Sequence, residues 1–200
     1  GADLGFLNNR INVEFAYYRR NNYDLIGPKR TTGVNGAARV YANVASMKSN
    51  GEELTISTKN IEKKDFSWTT DFIFSHSKSE VTSLDSRSRI IDMVSGNGFT
   101  MEGYPYRALF SLDFKGLNNK GLPTFINQDG NLTTSDIDFQ SYDLSHLIYE
   151  GPTDPTITGS LGNVFTYKGL RLNVFITYSA GNKVRLDPAF YLSYSDLYAM

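Results

Sequence analysis

Residues 10–20 read RINVEFAYYRR, and along most of this stretch apolar and polar side chains alternate. Successive side chains of a β-strand point to opposite faces, so a period of two predicts a strand with one apolar and one polar surface. The stretch also has about the 9–11 residues that a strand needs to cross a bilayer at a tilt. Its apolar surface carries Ile11, Val13, Phe15 and Tyr17, and its polar surface includes Asn12 and Glu14.

Two later stretches of similar length alternate in the same way: residues 66–76, FSWTTDFIFSH, and residues 170–180, LRLNVFITYSA. In a transmembrane barrel the apolar sets contact lipid and the polar sets face the lumen, and we predict these orientations. Phe175 breaks the alternation in the last stretch. The further lipid-facing candidates are Trp68, Phe72, Phe74, Leu172, Val174, Ile176 and Tyr178, and the further lumen-facing candidates are Ser67, Asp71, Arg171 and Asn173.

Short polar connections separate the alternating runs. Asn8-Asn9, Ser49-Asn50-Gly51 and Tyr167-Lys168-Gly169 carry residues typical of tight hairpin turns, and the charged residues 62–65 predict another hairpin tip. Residues 27–38, 85–103 and 117–155 are predicted to be long loops, and a short helix within residues 136–149 stays open. Short links at one rim and long extracellular loops at the other are typical of an all-β, antiparallel transmembrane β-barrel.

The composition excludes several other classes of protein. Among 200 residues the formal net charge is -1, which gives no basic face for nucleic-acid binding. No stretch approaches the roughly 18 apolar residues of a transmembrane helix. The chain has 0 Cys, which excludes disulfides and thiolate metal sites, while Tyr 13 and Phe 13 favour strands.

The sequence offers little support for catalysis, a cofactor or a metal ion. His76 and His146 are far apart in the sequence, and neither has metal-ligand spacing to a carboxylate. Residues 127–131, with Asp136 and Asp138 following, could supply oxygen ligands to Ca²⁺, but no Glu closes the loop and a polar turn is the better interpretation. We therefore predict that the protein is not an enzyme.

An ordered set of short segments carries a family resemblance. The segments are LNNR (7–10), YDLI (23–26), NVASM (43–47), NGEEL (50–54), FSW (66–68), GYP (103–105), Gly116-Leu117, PTITGSL (155–161), FTYKGL (165–170) and GNKV (181–184). Together they resemble the SusC/RagA-type TonB-linked outer-membrane transporters of Bacteroidetes. Glu52 departs from the Val or Ile that the family more often has there, which is a local change.

The resemblance implies that residues 1–200 are part of one outer-membrane β-barrel domain, from the C-terminal half of the barrel. It implies about eight to ten strands of a roughly 22-stranded barrel. A plug, a TonB box and the C-terminal strands have no counterpart in the sequence, so we expect an internal segment of a longer protein.

The resemblance also implies a role in nutrient import at the bacterial outer membrane. The expected partners are a SusD-like surface lipoprotein, TonB acting through regions absent here, membrane lipid, and an oligosaccharide or peptide substrate. Tyr104, Tyr106 and Tyr142 in the predicted loops are candidates for contact with substrate or partner.

Two alternatives use the same alternation. A soluble all-β carbohydrate-binding module of the cell surface would bury the apolar faces of two sheets against each other. A small, complete barrel of about eight strands would close on itself. Packing of two sheets through their apolar faces would contradict the transporter interpretation.

Overall fold

The computed structural model describes residues 1–30, 39–96 and 98–186, which form ten strands and one short helix. Within these ranges no helix is both long and apolar enough to cross a bilayer. The elements are β1 (Ala2–Phe6), β2 (Ile11–Arg30), β3 (Arg39–Glu62), β4 (Phe66–Leu84), α1 (Ile90–Val94), β5 (Ala108–Leu117), β6 (Pro123–Ile126), β7 (Leu132–Thr133), β8 (Leu147–Pro152), β9 (Ile157–Tyr167) and β10 (Leu170–Ala180).

Six strands form one antiparallel sheet in the order β1-β2-β3-β4-β9-β10. Each of its strands is hydrogen-bonded to its neighbours along the sheet, and β9 lies directly beside β4 although about 70 residues separate them in the chain. The sheet is open in the part of the chain that the structure describes, with β1 and β10 as its outer strands. The prediction of antiparallel strands is confirmed, while closure into a barrel is not seen in the described residues.

Tight turns connect the strands at one end of this sheet, which we call the short-turn edge. Asn8 and Asn9 have φ of 55° and 59°, and Lys168 and Gly169 have φ of 46° and 89°. Lys168-Gly169 is a two-residue hairpin loop, and positive φ at both positions matches the right-handed twist of the strands that it joins. Asn8 and Asn9 lie in a four-residue turn between Phe6 and Ile11. The predicted turns at Asn8-Asn9 and Tyr167-Lys168-Gly169, and the tip at residues 62–65, are confirmed.

The predicted turn at Ser49-Asn50-Gly51 is wrong, because β3 passes straight through it. Gly51 pairs with Tyr18 on one side and Ser77 on the other. A side chain at Gly51 would collide with the Tyr18 ring, so the glycine allows close approach and does not reverse the chain.

The first long strands extend beyond the predicted crossings. β2, β3 and β4 have 20, 24 and 19 residues, whereas β9 and β10 have 11 each. The start of the predicted loop 27–38 belongs to β2, which ends at Arg30, and residues 31–38 lie outside the described residues. These three strands therefore continue past the length that a bilayer needs.

Residues 85–156, which we call the insertion, connect β4 to β9 and have a fold of their own. Their four-stranded sheet has the order β7-β6-β5-β8. Met93, Ala108 and Phe110 are buried at its centre, and Gly103 and Tyr104 exchange backbone hydrogen bonds with Val81 of β4. The predicted long loops at 85–103 and 117–155 do belong to a long connection between sheet strands, but they contain α1, β6, β7 and β8 as well, because consecutive buried residues in β5 organise a small core.

The sequence analysis left open a short helix within residues 136–149, but the helix of the insertion lies elsewhere. α1 comprises Ile90–Val94, whereas the second half of 136–149 runs into β8. The segment that follows β10 secures the insertion, since Arg185 donates hydrogen bonds to the carbonyl oxygens of Val94, Gly96 and Phe110 at 2.6, 2.9 and 2.5 Å.

Candidate functional site

Strand register joins the alternating runs into one continuous surface, the apolar face. Residues directly opposite each other on paired strands project to the same side of a sheet. Val13, Ile56, Phe72, Leu161 and Ile176 are paired in one row across five strands. All the lipid-facing candidates lie on this face: Ile11, Val13, Phe15, Tyr17, Trp68, Phe72, Phe74, Leu172, Val174, Ile176 and Tyr178.

The opposite surface, the polar face, carries the other predicted set. Ser57 donates a hydrogen bond of 2.7 Å to Asp71 across β3 and β4 on this face. The register explains why an apolar residue, Phe175, occurs on this face. Phe175 is paired with Gly162, and its ring lies over that glycine, so a β-carbon added at Gly162 would be 3.2 Å from the ring. The lumen-facing candidates Asn12, Glu14, Ser67, Asp71, Arg171 and Asn173 all share this side.

The apolar face is uncovered. Leu172, Ile176 and Phe15 are 60%, 57% and 45% exposed. Within the described ranges the insertion's sheet does not pack on this surface, so the two sheets do not form a sandwich. A contiguous exposed apolar surface of this kind is rare on soluble monomers and marks an interface with lipid or protein.

The height of the apolar face matches a membrane. β4 places Phe66, Trp68, Phe72 and Phe74 on this face before the first ionisable residue, His76. Ten residues at ~3.4 Å each span about 34 Å along the strand, or roughly 25 Å along the membrane normal at a tilt of about 40°. Transmembrane barrels have an apolar band of about this height.

One polar track crosses the apolar face near the short-turn edge. The side chain of Thr58 donates to Asn60 (3.0 Å), and Asn60 donates to Thr70 (2.7 Å). Asn163 Oδ1 then accepts from Thr70 Oγ1 at 2.7 Å and from Trp68 Nε1 at 2.9 Å. Our sequence analysis did not identify this track, although Asn163 is in phase with Leu161 and Phe165 and could have been noticed.

The three candidate tyrosines of the insertion have different environments. Tyr104 packs edge-on to Phe110 at 5.1 Å and lies 4.9 Å from Tyr149, which gives it a packing role. Burial, and secondarily Tyr104, raises the pKa of Tyr149 above its ordinary value. Tyr106 and Tyr142 are half-exposed, and Tyr106 lines a cavity of about 400 Å³ between the insertion and the far ends of β2, β3 and β4.

Comparison with known proteins finds that this chain is similar to part of several TonB-dependent receptors. No family model matches the chain. The chain is 26% identical over 92% of its length to TonB-dependent receptor P3 of Formosa agariphila, and 27% identical over 94% to TonB-dependent receptor SusC of Bacteroides thetaiotaomicron. It spans about a fifth of each relative, 20% and 19%.

The fold agrees with solved structures. The structure of the RagAB peptide transporter superposes with a TM-score of 0.68 at 24% identity, covering 90% of this chain and 20% of that one. The RagAB peptide importer in the 'open-open' state gives 0.67 at 23% identity, covering 89% and 19%. This chain is homologous to part of the SusC/RagA-type TonB-dependent receptors.

TonB-dependent receptors are transporters of the bacterial outer membrane and not enzymes, in agreement with the sequence analysis. The predicted polar turn in this receptor segment is built around Asn127, whose Oδ1 accepts hydrogen bonds from the backbone of Asp129 (3.1 Å) and Asn131 (2.8 Å). The described residues contain no cluster of three or more His, Cys, Asp or Glu side chains that could hold a metal ion.

Proposed function

We propose that the intact protein is a TonB-dependent importer, and that this chain forms part of its barrel wall. The apolar face contacts lipid and the polar face lines the lumen. The main support for this proposal is the uncovered apolar face. Its height of roughly 25 Å along the membrane normal is about that of the apolar band of a transmembrane barrel, and no protein covers it in the described residues. In a closed barrel every backbone group pairs with a neighbouring strand, which is what allows strands to span lipid.

The insertion belongs on the extracellular side under this proposal, since short turns mark the periplasmic rim. β2, β3 and β4 extend past the apolar band and raise the insertion above the membrane. We propose that the insertion contributes to contact with a SusD-like surface lipoprotein and with substrate. Tyr106, half-exposed at the 400 Å³ cavity, and Tyr142 are the residues best placed for such contacts.

The substrate class proposed from the family resemblance is an oligosaccharide or a peptide. The matched RagAB structures are those of a peptide transporter and a peptide importer, and this favours a peptide as the substrate. TonB would act through regions of the intact protein outside this chain and would supply the force for import.

The orientation of the two faces is tested with spin labels in the full-length protein in lipid vesicles. Labels at positions 13 and 14 occupy neighbouring positions of β2 on opposite faces. We expect a lipid-soluble quencher to relax the label at 13 strongly and the label at 14 weakly, and a water-soluble quencher to show less access at 13. Labels at 176 and 177 of β10 provide a second pair. Equal access to the lipid-soluble quencher at 13 and 14 would reject the proposal.

A further inference from the structure

The seam between β4 and β9 on the apolar face has a layered chemistry. From the short-turn edge it presents a lysine, then aromatic rings, then the polar track, and then an apolar wall. The rows are Phe66–Tyr167, Trp68–Phe165, Thr70–Asn163 and Phe72–Leu161. A phospholipid presents complementary groups in a matching order: an anionic phosphate, the glycerol backbone, the ester carbonyls and then the acyl chains.

The polar track has a side-chain donor, Asn163 Nδ2, with no partner among the described residues. Because Asn163 Oδ1 accepts from Trp68 Nε1, which can only donate, the amide orientation is settled and Nδ2 carries the two hydrogens. Asn163 is partly exposed, and Nδ2 makes no hydrogen bond within the described residues. An amide donor facing hydrocarbon is unfavourable unless an acceptor comes to it.

The cation of the seam is Lys168, in the turn between β9 and β10. Its ammonium lies over the Tyr167 ring, 5.4 Å from the centroid, and so is held at the apolar face. Its backbone N–H donates to the backbone carbonyl oxygen of Asp65 in the neighbouring turn, 3.1 Å away. That turn also holds Lys63 and Lys64, and Glu62 precedes it at the end of β3. The two neighbouring turns and this strand end therefore carry three lysines and two acids, Glu62 and Asp65.

The aromatic layer belongs at the membrane interface. Trp68 and Phe165 stack with centroids 5.6 Å apart and planes at 21°. Trp and Tyr rings are enriched at headgroup level, and lysines near an interface extend toward the polar side. Tyr167 and Asn163 are four residues apart, about 13 Å along the strand. The Lys168 ammonium lies over the Tyr167 ring, so the cation and the Asn163 amide lie on either side of the Trp68–Phe165 row along the seam.

We infer that this seam is a binding site for one anionic phospholipid of the periplasmic leaflet. Lys168 pairs with the phosphate, the Asn163 amide donates to an ester carbonyl oxygen, and an acyl chain lies along Phe72, Leu161 and Ile176. Charge complementarity selects an anionic headgroup, because the rim carries more lysines than acids. The inference rests on the proposed membrane orientation, which brings lipid to this face.

The test is native mass spectrometry of the full-length protein in detergent, titrated with phosphatidylglycerol or phosphatidylcholine. We expect the wild type to retain phosphatidylglycerol at least five-fold better than phosphatidylcholine. Lys168→Gln should remove that preference, and Asn163→Leu should lower retention of both lipids. Asn163→Asp keeps the acceptor for Trp68 but removes the donor, so it should also lower retention if the leucine variant does not fold.

Matched controls come from the same strands. Lys78→Gln alters a lysine at the other end of β4, and Asn173→Leu alters an amide on the polar face, so both should retain lipid as the wild type does. Heat-modifiable migration in electrophoresis shows that each variant is folded. Wild-type retention in folded Lys168→Gln and Asn163→Asp would overturn the site. Such a result would leave the proposed function intact if the labels at 13 and 14 still differ.

Discussion

The six-stranded sheet and the insertion use apolar side chains in opposite ways. In the sheet, apolar residues occur at every second position and stay exposed, as at Leu172 and Ile176. In the insertion, Ala108, Leu109 and Phe110 are consecutive and all buried. The sheet leaves its apolar side chains uncovered in the described residues, whereas the insertion provides its own core. Under the proposed function, lipid covers the sheet and water surrounds the insertion.

The two regions also differ in how they satisfy polar groups. On the apolar face, Thr58, Asn60, Thr70 and Asn163 join in a side-chain track. Under the proposed function this face contacts hydrocarbon, which would offer these groups no other partner. In the insertion, polar side chains such as Asn127 bond local backbone N–H groups and shape turns. The first arrangement links strands across the sheet, and the second stabilises short loops.

The largest expected effect is on the insertion's core. Phe110 is 2% exposed, and Phe110→Ala should destabilise the insertion by about 3–5 kcal/mol through lost burial and a cavity. Hydrogen exchange of the full-length protein should show faster exchange within 85–156 and unchanged exchange in β9 and β10. Phe114→Ala, at a 56% exposed ring, is the control and should have little effect. Faster exchange throughout the six-stranded sheet would show that the two regions are not independent.

A charge on the apolar face should have the next largest effect. Phe72 lies near the middle of the apolar band, so Phe72→Arg should cost about 2–4 kcal/mol of folding free energy in vesicles. Ile73→Arg places the same charge at the next residue, on the polar face, and should cost much less. Denaturant titration of both variants in vesicles gives the difference. Equal losses would remove the distinction between a lipid face and a lumen face.

The smallest expected effect concerns close approach within the sheet. Gly51→Ala introduces a methyl group against the Tyr18 ring and the backbone carbonyl oxygen of His76, and should destabilise the protein by about 1–3 kcal/mol. The double variant with Tyr18→Ala should recover part of this loss, since the colliding ring is gone. A double-mutant cycle of unfolding free energies measures the coupling. Strictly additive losses would show that the ring and the glycine do not interact.

Local turn chemistry was predictable only where it agreed with strand pairing. Lys168-Gly169 and Asn8-Asn9 were correct, because each lies where one apolar alternation ends and another begins. Ser49-Asn50-Gly51 also consists of residue types typical of turns, yet β3 is paired with strands on both sides at Gly51. Composition cannot distinguish a glycine that reverses the chain from one that admits a neighbouring ring.

The candidate site was predictable only in part, because local patterns specify side-chain direction but not contacts between distant strands. The period of two identified which residues share a face, since side-chain direction in a strand depends only on position along it. The Asn163–Trp68 contact joins residues 95 positions apart in the chain, so no local pattern specifies it. Likewise, the apolar side chain of Phe175 on the polar face is explained only by strand pairing, which places Gly162 of β9 beneath its ring.

The sequence by itself determined that this chain forms long antiparallel strands with one apolar and one polar side, because alternation and tight turns act over a few residues. Tertiary structure alone decided that β9 lies beside β4, that residues 85–156 fold around Phe110, and that a polar track crosses the apolar face. Those features depend on contacts between distant segments. Their stability comes from burial and hydrogen bonds that exist only after the strands have paired.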